Sequence, residues 1–313
     1  MPKLLIASDD GPEYREIFAR EAPDLDVKLY RPDDPTLAEF VHEMDIFFAW
    51  RFPPELVKNA PKLRWISSTG AGVDMVMAAR EWLPPGVPVT RMVHVFDVVM
   101  AEYVLGYLLS IQLDMRRAFK QQESKTWKGW VFPTLRGATA VVVGLGSIGS
   151  EVARTLKAHG VTVIGVSRTG QPTEGIDEVH TIDKLDSVLP RADYLVLAVP
   201  LTPETRGVID ERRLSLLPDG AVLVNICRGA VCRESELIAA LEAGTLRFAV
   251  LDVFEKEPLP DDSPLWSMEN VIVTPHMSGP DDVPTNAARF LENYRRFQAG
   301  EPLAGQVDFA RGY

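Results

Sequence analysis

Residues 139–170 constrain this chain more than any other stretch. An apolar, β-branched run from Ala140 to Val143 stops at Gly144, and Gly144, Gly146 and Gly149 then form G-x-G-x-x-G. Helix-forming residues follow from Ile148 to Ala158, and a second apolar run, Val161 to Val166, closes the unit. Strand, glycine turn, helix, strand is the context in which this spacing binds a dinucleotide instead of merely turning the chain. Each glycine has a physical job. Gly144 permits the tight turn, Gly146 lets backbone N–H groups approach a pyrophosphate, and Gly149 lets the helix pack closely. The expected phosphate-facing stretch is therefore Gly144, Leu145, Gly146, Ser147, Ile148 and Gly149, where the helix N-terminus offers unpaired donors and a positive dipole end.

The end of the second strand bears on which dinucleotide. An NAD-binding unit of this kind carries Asp or Glu about 20 residues after the glycines, bonded to the ribose 2′-hydroxyl. Here Val166 runs into Ser167, Arg168 and Thr169, with no carboxylate. Arg168 can pair with a 2′-phosphate and the flanking hydroxyls can donate to it. NADP is thus the expected cofactor, with NAD used less well.

On both sides of this unit the pattern alternates β and α. Apolar runs at 3–7, 26–30, 45–50 and 64–68 precede it, and runs at 194–199, 221–226, 248–253 and 271–274 follow it. That alternation predicts parallel sheets covered on both faces, an α/β class. With 313 residues the chain is long enough for two domains. The first strand ends in Ser8, Asp9, Asp10, Gly11 and Pro12, which lacks the glycine fingerprint. Met100–Arg117 reads as one long helix, and 119–137 as no clear element, although Trp127, Trp130 and Phe132 there suggest contact with another subunit. A net charge of −11 argues against a nucleic-acid or anionic-membrane partner. No apolar run approaches the ~20 residues of a membrane span, and the apolar N-terminal stretch is too short for a signal peptide. Two cysteines, Cys227 and Cys232, make no disulfide framework, so a cytoplasmic location is expected, and no metal.

Functional groups in open parallel sheets gather at the carboxyl ends of strands. Arg228, Asp252 with Glu257 just beyond it, and His276 all stand at such ends, and each alone could be an ordinary loop or surface residue. Gly70, Ala71 and Gly72 after the 64–68 strand could expose N–H groups to an anion such as a carboxylate, or could simply connect strand to helix.

Several segments together resemble the D-2-hydroxyacid dehydrogenase family. They are 70–74 (Gly70, Ala71, Gly72, Val73, Asp74), 100–102, 200–207 and 225–231, then 251–260 and 274–279. Trp50 to Pro53, Pro264 to Trp266 and the 305–313 tail narrow the resemblance to the bacterial glyoxylate/hydroxypyruvate reductases within it. The resemblance implies two Rossmann-like, doubly wound parallel-sheet domains with the active site in the cleft between them. Residues 1–99 and 277–313 would form the substrate domain, and 100–276 the dinucleotide domain. It further implies a homodimer and the reduction of small 2-oxo acids to D-2-hydroxy acids. Arg228 would bind carboxylate and carbonyl oxygen, His276 would donate the proton, and Glu257 would orient the imidazole. Trp50, Ala71 and Gly72 would contact the substrate. Pro200, Thr205, Ile226, Cys227, Asp252, His276, Ser278 and Gly279 would join the glycine loop and Ser167, Arg168 and Thr169 around the cofactor. Two alternatives stand beside this reading: a nucleotide-sensing regulatory protein on the same fold, and a dehydrogenase for a bulkier 2-oxo acid. A formate-type enzyme is disfavoured because Glu257 stands where glutamine is expected, and a phosphoglycerate-type enzyme because no extra C-terminal regulatory segment is seen.

Overall fold

The computed structural model describes residues 1–50 and 54–312, without the side chains of Pro54, Glu55 and Met75. Arg51, Phe52 and Pro53 of the expected substrate element, and Tyr313 of the tail, lie outside the described residues. The chain divides into two compact units, 1–95 with 280–313 and 96–279. The crossings expected from the sequence stand at 99/100 and 276/277.

The first unit holds a parallel sheet of β1 (Lys3–Ala7), β2 (Asp26–Leu29), β3 (Ile46–Ala49), β4 (Trp65–Ser67) and β5 (Val89–Thr90), in the order β2-β1-β3-β4-β5. The β5 strand is only two residues long, Val89 and Thr90 pairing with Ile66 and Ser67, and its sequence carries no periodicity to announce it. The helix Val283–Ala299 belongs to this unit for a visible reason: it carries Phe290 into an aromatic cluster. Trp65 and Phe290 stack at 5.0 Å, and Phe18, Phe48 and Tyr14 close around them. Asp282 caps that helix on the Thr285 N–H at 3.2 Å, and Gly300, with φ 69, ends it as only a residue tolerant of the left-handed region can.

The second unit holds β6 (Thr139–Val143), β7 (Thr162–Ser167), β8 (Glu178–Thr181), β9 (Tyr194–Leu197), β10 (Val222–Asn225), β11 (Phe248–Leu251) and β12 (Val271–Val273). All seven are parallel, in the order β12-β11-β10-β9-β6-β7-β8. The order reverses between β6 and β9, which is the switch point where a doubly wound sheet leaves a crevice at its carboxyl edge. The central strands are fully enclosed: Val141, Val142 and Val143, Leu195 to Leu197, and Val222 to Val224 are 0% exposed. Each such side chain contributes roughly 1.5–3 kcal/mol relative to exposure. The β8 strand is an edge, paired to β7 alone and half-buried throughout, so Glu178 and His180 sit where the sequence shows no apolar run.

The helix expected over Met100–Arg117 is two helices, Asp97–Gln112 and Met115–Glu123, bent by 59°. The break is Asp114, whose φ of 52 is left-handed and whose carboxylate accepts from the Arg117 N–H at 3.3 Å. Aspartate tolerates that conformation better than most residues and caps well, so it ends one helix and starts the next. Among the described residues no single helix is long and apolar enough to cross a membrane.

Candidate active site

The glycine loop follows β6, at the switch point. A Cβ on Gly144, whose φ is 103, would stand 2.4 Å from the Ala198 carbonyl oxygen, and one on Gly149 would stand 1.8 Å from the Gly144 oxygen. Both positions therefore require glycine, and Gly149 seats the helix Ser147–Ala158 on the turn itself. A Cβ on Gly146 would meet nothing within 4 Å, and its φ is −72. The fold does not require glycine there. Its bare backbone instead keeps clear the space in front of the helix N-terminus, where no side chain caps the helix. Leu145 lies over Gly165 of β7, whose Cβ would fall 2.6 Å from the leucine methyl. This is a cradle that fits a dinucleotide pyrophosphate.

At the end of β7, Arg168 and Thr169 are exposed and Ser167 is half-buried, its hydroxyl accepting from the Gly170 N–H at 3.1 Å. After β9, the Thr205 hydroxyl donates to the Pro200 carbonyl at 2.6 Å and accepts from the Thr202 N–H at 2.8 Å. Thr205 thus holds its own loop in shape beside the switch point.

The carboxyl ends of β10, β11 and β12 lie side by side and carry the titratable groups. After β10 the buried Asn225 accepts from the Cys227 N–H at 3.1 Å and donates to the Arg228 carbonyl at 3.0 Å, folding the turn that presents Arg228. One guanidinium nitrogen of Arg228 donates to the Cys227 carbonyl at 2.6 Å. Ile226 and Cys227 are buried, and burial pushes the Cys227 thiol up to about 11, so it is no nucleophile at neutral pH. A Cβ on Gly229 would stand 1.9 Å from the Phe254 carbonyl carbon, so the Arg228 turn lies directly on the loop that carries Glu257.

Both carboxylate oxygens of Glu257 are engaged. One oxygen accepts from the Phe254 N–H at 3.1 Å, and the other lies 2.8 Å from His276 Nδ1. A carboxylate only accepts, so Nδ1 carries the proton and Nε2 is the atom left to exchange one. His276 itself has φ 51, a left-handed conformation rare outside glycine. Its N–H donates to the Asp252 carbonyl at 2.9 Å. Asp252 is 0% exposed, and its carboxylate collects the Thr274 hydroxyl at 2.6 Å and the N–H groups of Met277 and Ser278 at 2.8 and 2.9 Å. The 274–278 loop is therefore wrapped round this buried carboxylate. Gly279 closes the segment, with the Phe96 ring 3.3 Å from where its Cβ would be.

Residues 105–278 match the family model described as D-isomer specific 2-hydroxyacid dehydrogenase, NAD binding domain. The chain belongs to the D-isomer specific 2-hydroxyacid dehydrogenase family. It is an NAD(P)-dependent dehydrogenase of the α/β class. Solved structures extend the likeness over the whole chain. A family protein from Aeromonas salmonicida is 37% identical, with a TM-score of 0.89 over 98% of this chain and 99% of that one. A second, from Xanthobacter autotrophicus in complex with NADPH and MES, is also 37% identical at 0.89, covering 100% and 99%. An NADPH-dependent glyoxylate/hydroxypyruvate reductase from Sinorhizobium meliloti, in complex with NADP and sulfate, is 32% identical at 0.89 over 100% of both chains.

In this dehydrogenase the first unit carries the remaining residues singled out from the sequence. Trp50 follows β3 and lies against Gly70, where a Cβ would come within 2.9 Å of the indole. The Gly70 N–H donates to the Ser68 hydroxyl at 3.2 Å and its carbonyl accepts from the Met92 N–H at 3.0 Å. Arg91 reaches the Ala71 carbonyl at 3.4 Å. Ala71 and Gly72 are half-buried. The sequence assigns no role to Asn225, Gly229, Tyr103 or Thr274, although all but Tyr103 lie in the segments that carry the family resemblance. Their contacts join loops and a helix that meet only in three dimensions.

Proposed function

We propose that this dehydrogenase reduces small 2-oxo acids such as glyoxylate and hydroxypyruvate to D-2-hydroxy acids, and that it prefers NADPH to NADH. The observation that carries the reading is the His276–Glu257 pair at 2.8 Å, on the same sheet edge as Arg228. The reduced nicotinamide, when bound, supplies the hydride to the carbonyl carbon. His276 Nε2 gives the proton to the carbonyl oxygen, and Glu257 holds the ring in the tautomer that allows it. Arg228 offers its planar fork to the carboxylate and carbonyl oxygens, which polarises the carbonyl and fixes the acid's orientation. The Ala71 and Gly72 N–H groups and Trp50 supply the remaining substrate contacts. Asp252 keeps the His276 loop in place and lies near the nicotinamide.

The cofactor preference rests on Arg168 and its hydroxyl neighbours Ser167 and Thr169, exposed where an NAD enzyme would carry a carboxylate. The glycine loop 144–149 cradles the pyrophosphate. Pro200, Thr205, Ile226, Cys227, Ser278 and Gly279 line the rest of the dinucleotide path. The substrate class is supported by the relative from Sinorhizobium, named as an NADPH-dependent glyoxylate/hydroxypyruvate reductase. The protein works as a cytoplasmic homodimer built on the long helix and the 119–137 segment, where Trp127 and Phe132 are exposed and Trp130 is half-buried. A steady-state screen of glyoxylate, hydroxypyruvate and about ten larger 2-oxo acids with each nicotinamide tests this. Turnover confined to bulky acids, or none at all, would overturn it.

A further inference from the structure

Behind the candidate proton donor runs a chain of hydrogen bonds that the chemistry above does not use. Tyr103, on the helix Asp97–Gln112, places its hydroxyl 2.6 Å from Thr274 Oγ1. Thr274 Oγ1 in turn lies 2.6 Å from Asp252 Oδ1. The proton order follows from valence. The Asp252 carboxylate accepts only, so the single Thr274 hydroxyl proton goes to it, and Tyr103 must donate to Thr274. Burial raises the Tyr103 phenol and the Asp252 charge adds to it, while the bond to Thr274 opposes them, so the phenol stays a donor at every working pH. Asp252 also accepts from the N–H groups of Met277 and Ser278, the two residues that follow His276. His276 is held left-handed at that point.

We propose that Tyr103 is a positioning residue for the reaction: through Thr274 it fixes the Asp252 carboxylate, and that carboxylate sets the backbone from which His276 presents its imidazole. Without the phenol, Thr274 Oγ1 loses its incoming donor, and its own bond to Asp252 is no longer strengthened by that neighbour. The Thr274 hydroxyl then holds the Asp252 carboxylate less firmly, and the left-handed backbone at His276 loses part of its restraint. The neighbouring Tyr107, whose ring lies 4.5 Å from that of Tyr103, provides an internal control of the same kind on the same helix.

The proposal rests on His276 being the proton donor, so its test has one arm that needs no turnover. In the apo protein, amide hydrogen exchange over residues 276–279 should quicken by about fivefold in Tyr103→Phe, the loss of roughly one hydrogen bond, while the rest of the unit keeps its protection. In the enzyme, kcat should fall by about five- to tenfold with KM for the 2-oxo acid within twofold. Thr274→Val should reproduce both effects, Thr274→Ser should restore both, and Tyr107→Phe should change neither. Unchanged exchange at 276–279 in Tyr103→Phe and Thr274→Val would overturn the proposal. So would faster exchange spread through the whole unit, which marks a purely structural tyrosine. If wild-type protein turns over no 2-oxo acid, the proposed function fails, and the exchange arm still decides the role of Tyr103. Should Tyr103→Phe not fold, the Thr274 valine and serine variants carry the same comparison.

Discussion

Gly229→Ala probes the assembled site without touching any group proposed to meet the substrate. The new Cβ would stand 1.9 Å from the Phe254 carbonyl carbon, 2.2 Å from its oxygen and 2.3 Å from the Glu255 nitrogen. All three are backbone atoms, so no side chain can swing aside. Reaching even the 3.4 Å of an ordinary contact requires the Arg228 turn and the 254–257 loop to part by about 1.5 Å, in an interior with little free volume. Overpacking of this kind costs roughly 1–3 kcal/mol of stability. Its larger consequence is geometric: Arg228 sits on one side of the contact, and Glu257 with its His276 partner on the other. A misplacement of about 1 Å costs on the order of 10²-fold in rate. The expected result is a hundredfold fall in kcat/KM for the best 2-oxo acid, with NADPH Kd within threefold, because the 144–149 cradle is untouched. Steady-state kinetics and fluorescence titration of NADPH measure the two. An alanine variant with wild-type kcat/KM and melting temperature would refute the claim that these two loops are pressed together to hold the site.

Other perturbations reach separate parts of the molecule. Arg168→Ala should remove most of a preference for NADPH over NADH of at least about tenfold, since a charge-assisted contact is worth roughly 1.5–3 kcal/mol; equal kcat/KM for both cofactors in wild type would end that reading. Arg191 and then His180 hold Glu178 down to about 2, and Arg212 and then Arg213 hold Asp186 down to about 2. A depressed folded-state value means their stabilisation is present above the ordinary carboxylate range and is lost as pH falls from there towards 2. These pairs are exposed and screened, so the loss is small. Melting temperatures of Glu178→Gln should match wild type near pH 2 and fall slightly below it at pH 7, and a variant lower at pH 2 but equal at pH 7 would reverse the sign. Sedimentation at micromolar concentration should show a dimer, and a species of only 34.7 kDa, the chain mass, would exclude one.

The sequence spoke clearly where local pattern and global fold agree. Apolar runs such as Ala140 to Val143 and Tyr194 to Leu197 are buried on both faces, so their composition alone marks them as central parallel strands. It was silent at β8, because an edge strand needs no apolar run, and at β5, because two residues carry no period. The single helix expected over Met100–Arg117 breaks at Asp114, since apolar periodicity does not register one left-handed residue. At the site, Arg228, Glu257 and His276 stood out because chemistry selects their residue types. What holds them was not legible: Gly229 against Phe254, Asn225 under the Arg228 turn, and Tyr103 and Asp252 about 150 residues apart meeting at Thr274. Those contacts depend on which strand ends become neighbours, and no single stretch contains that information.

The proposed assignment gives proton transfer to His276 and carboxylate binding to Arg228 in 2-oxo acid reduction. Its most direct test is kcat/KM for glyoxylate and hydroxypyruvate with NADPH in His276→Ala and Arg228→Ala, alongside NADPH affinity in each. The account predicts a fall of roughly 10²–10⁴-fold in both variants, the range for removing a positioned acid or its partner, with nucleotide affinity nearly unchanged. Retention of most of the activity in either variant would contradict it.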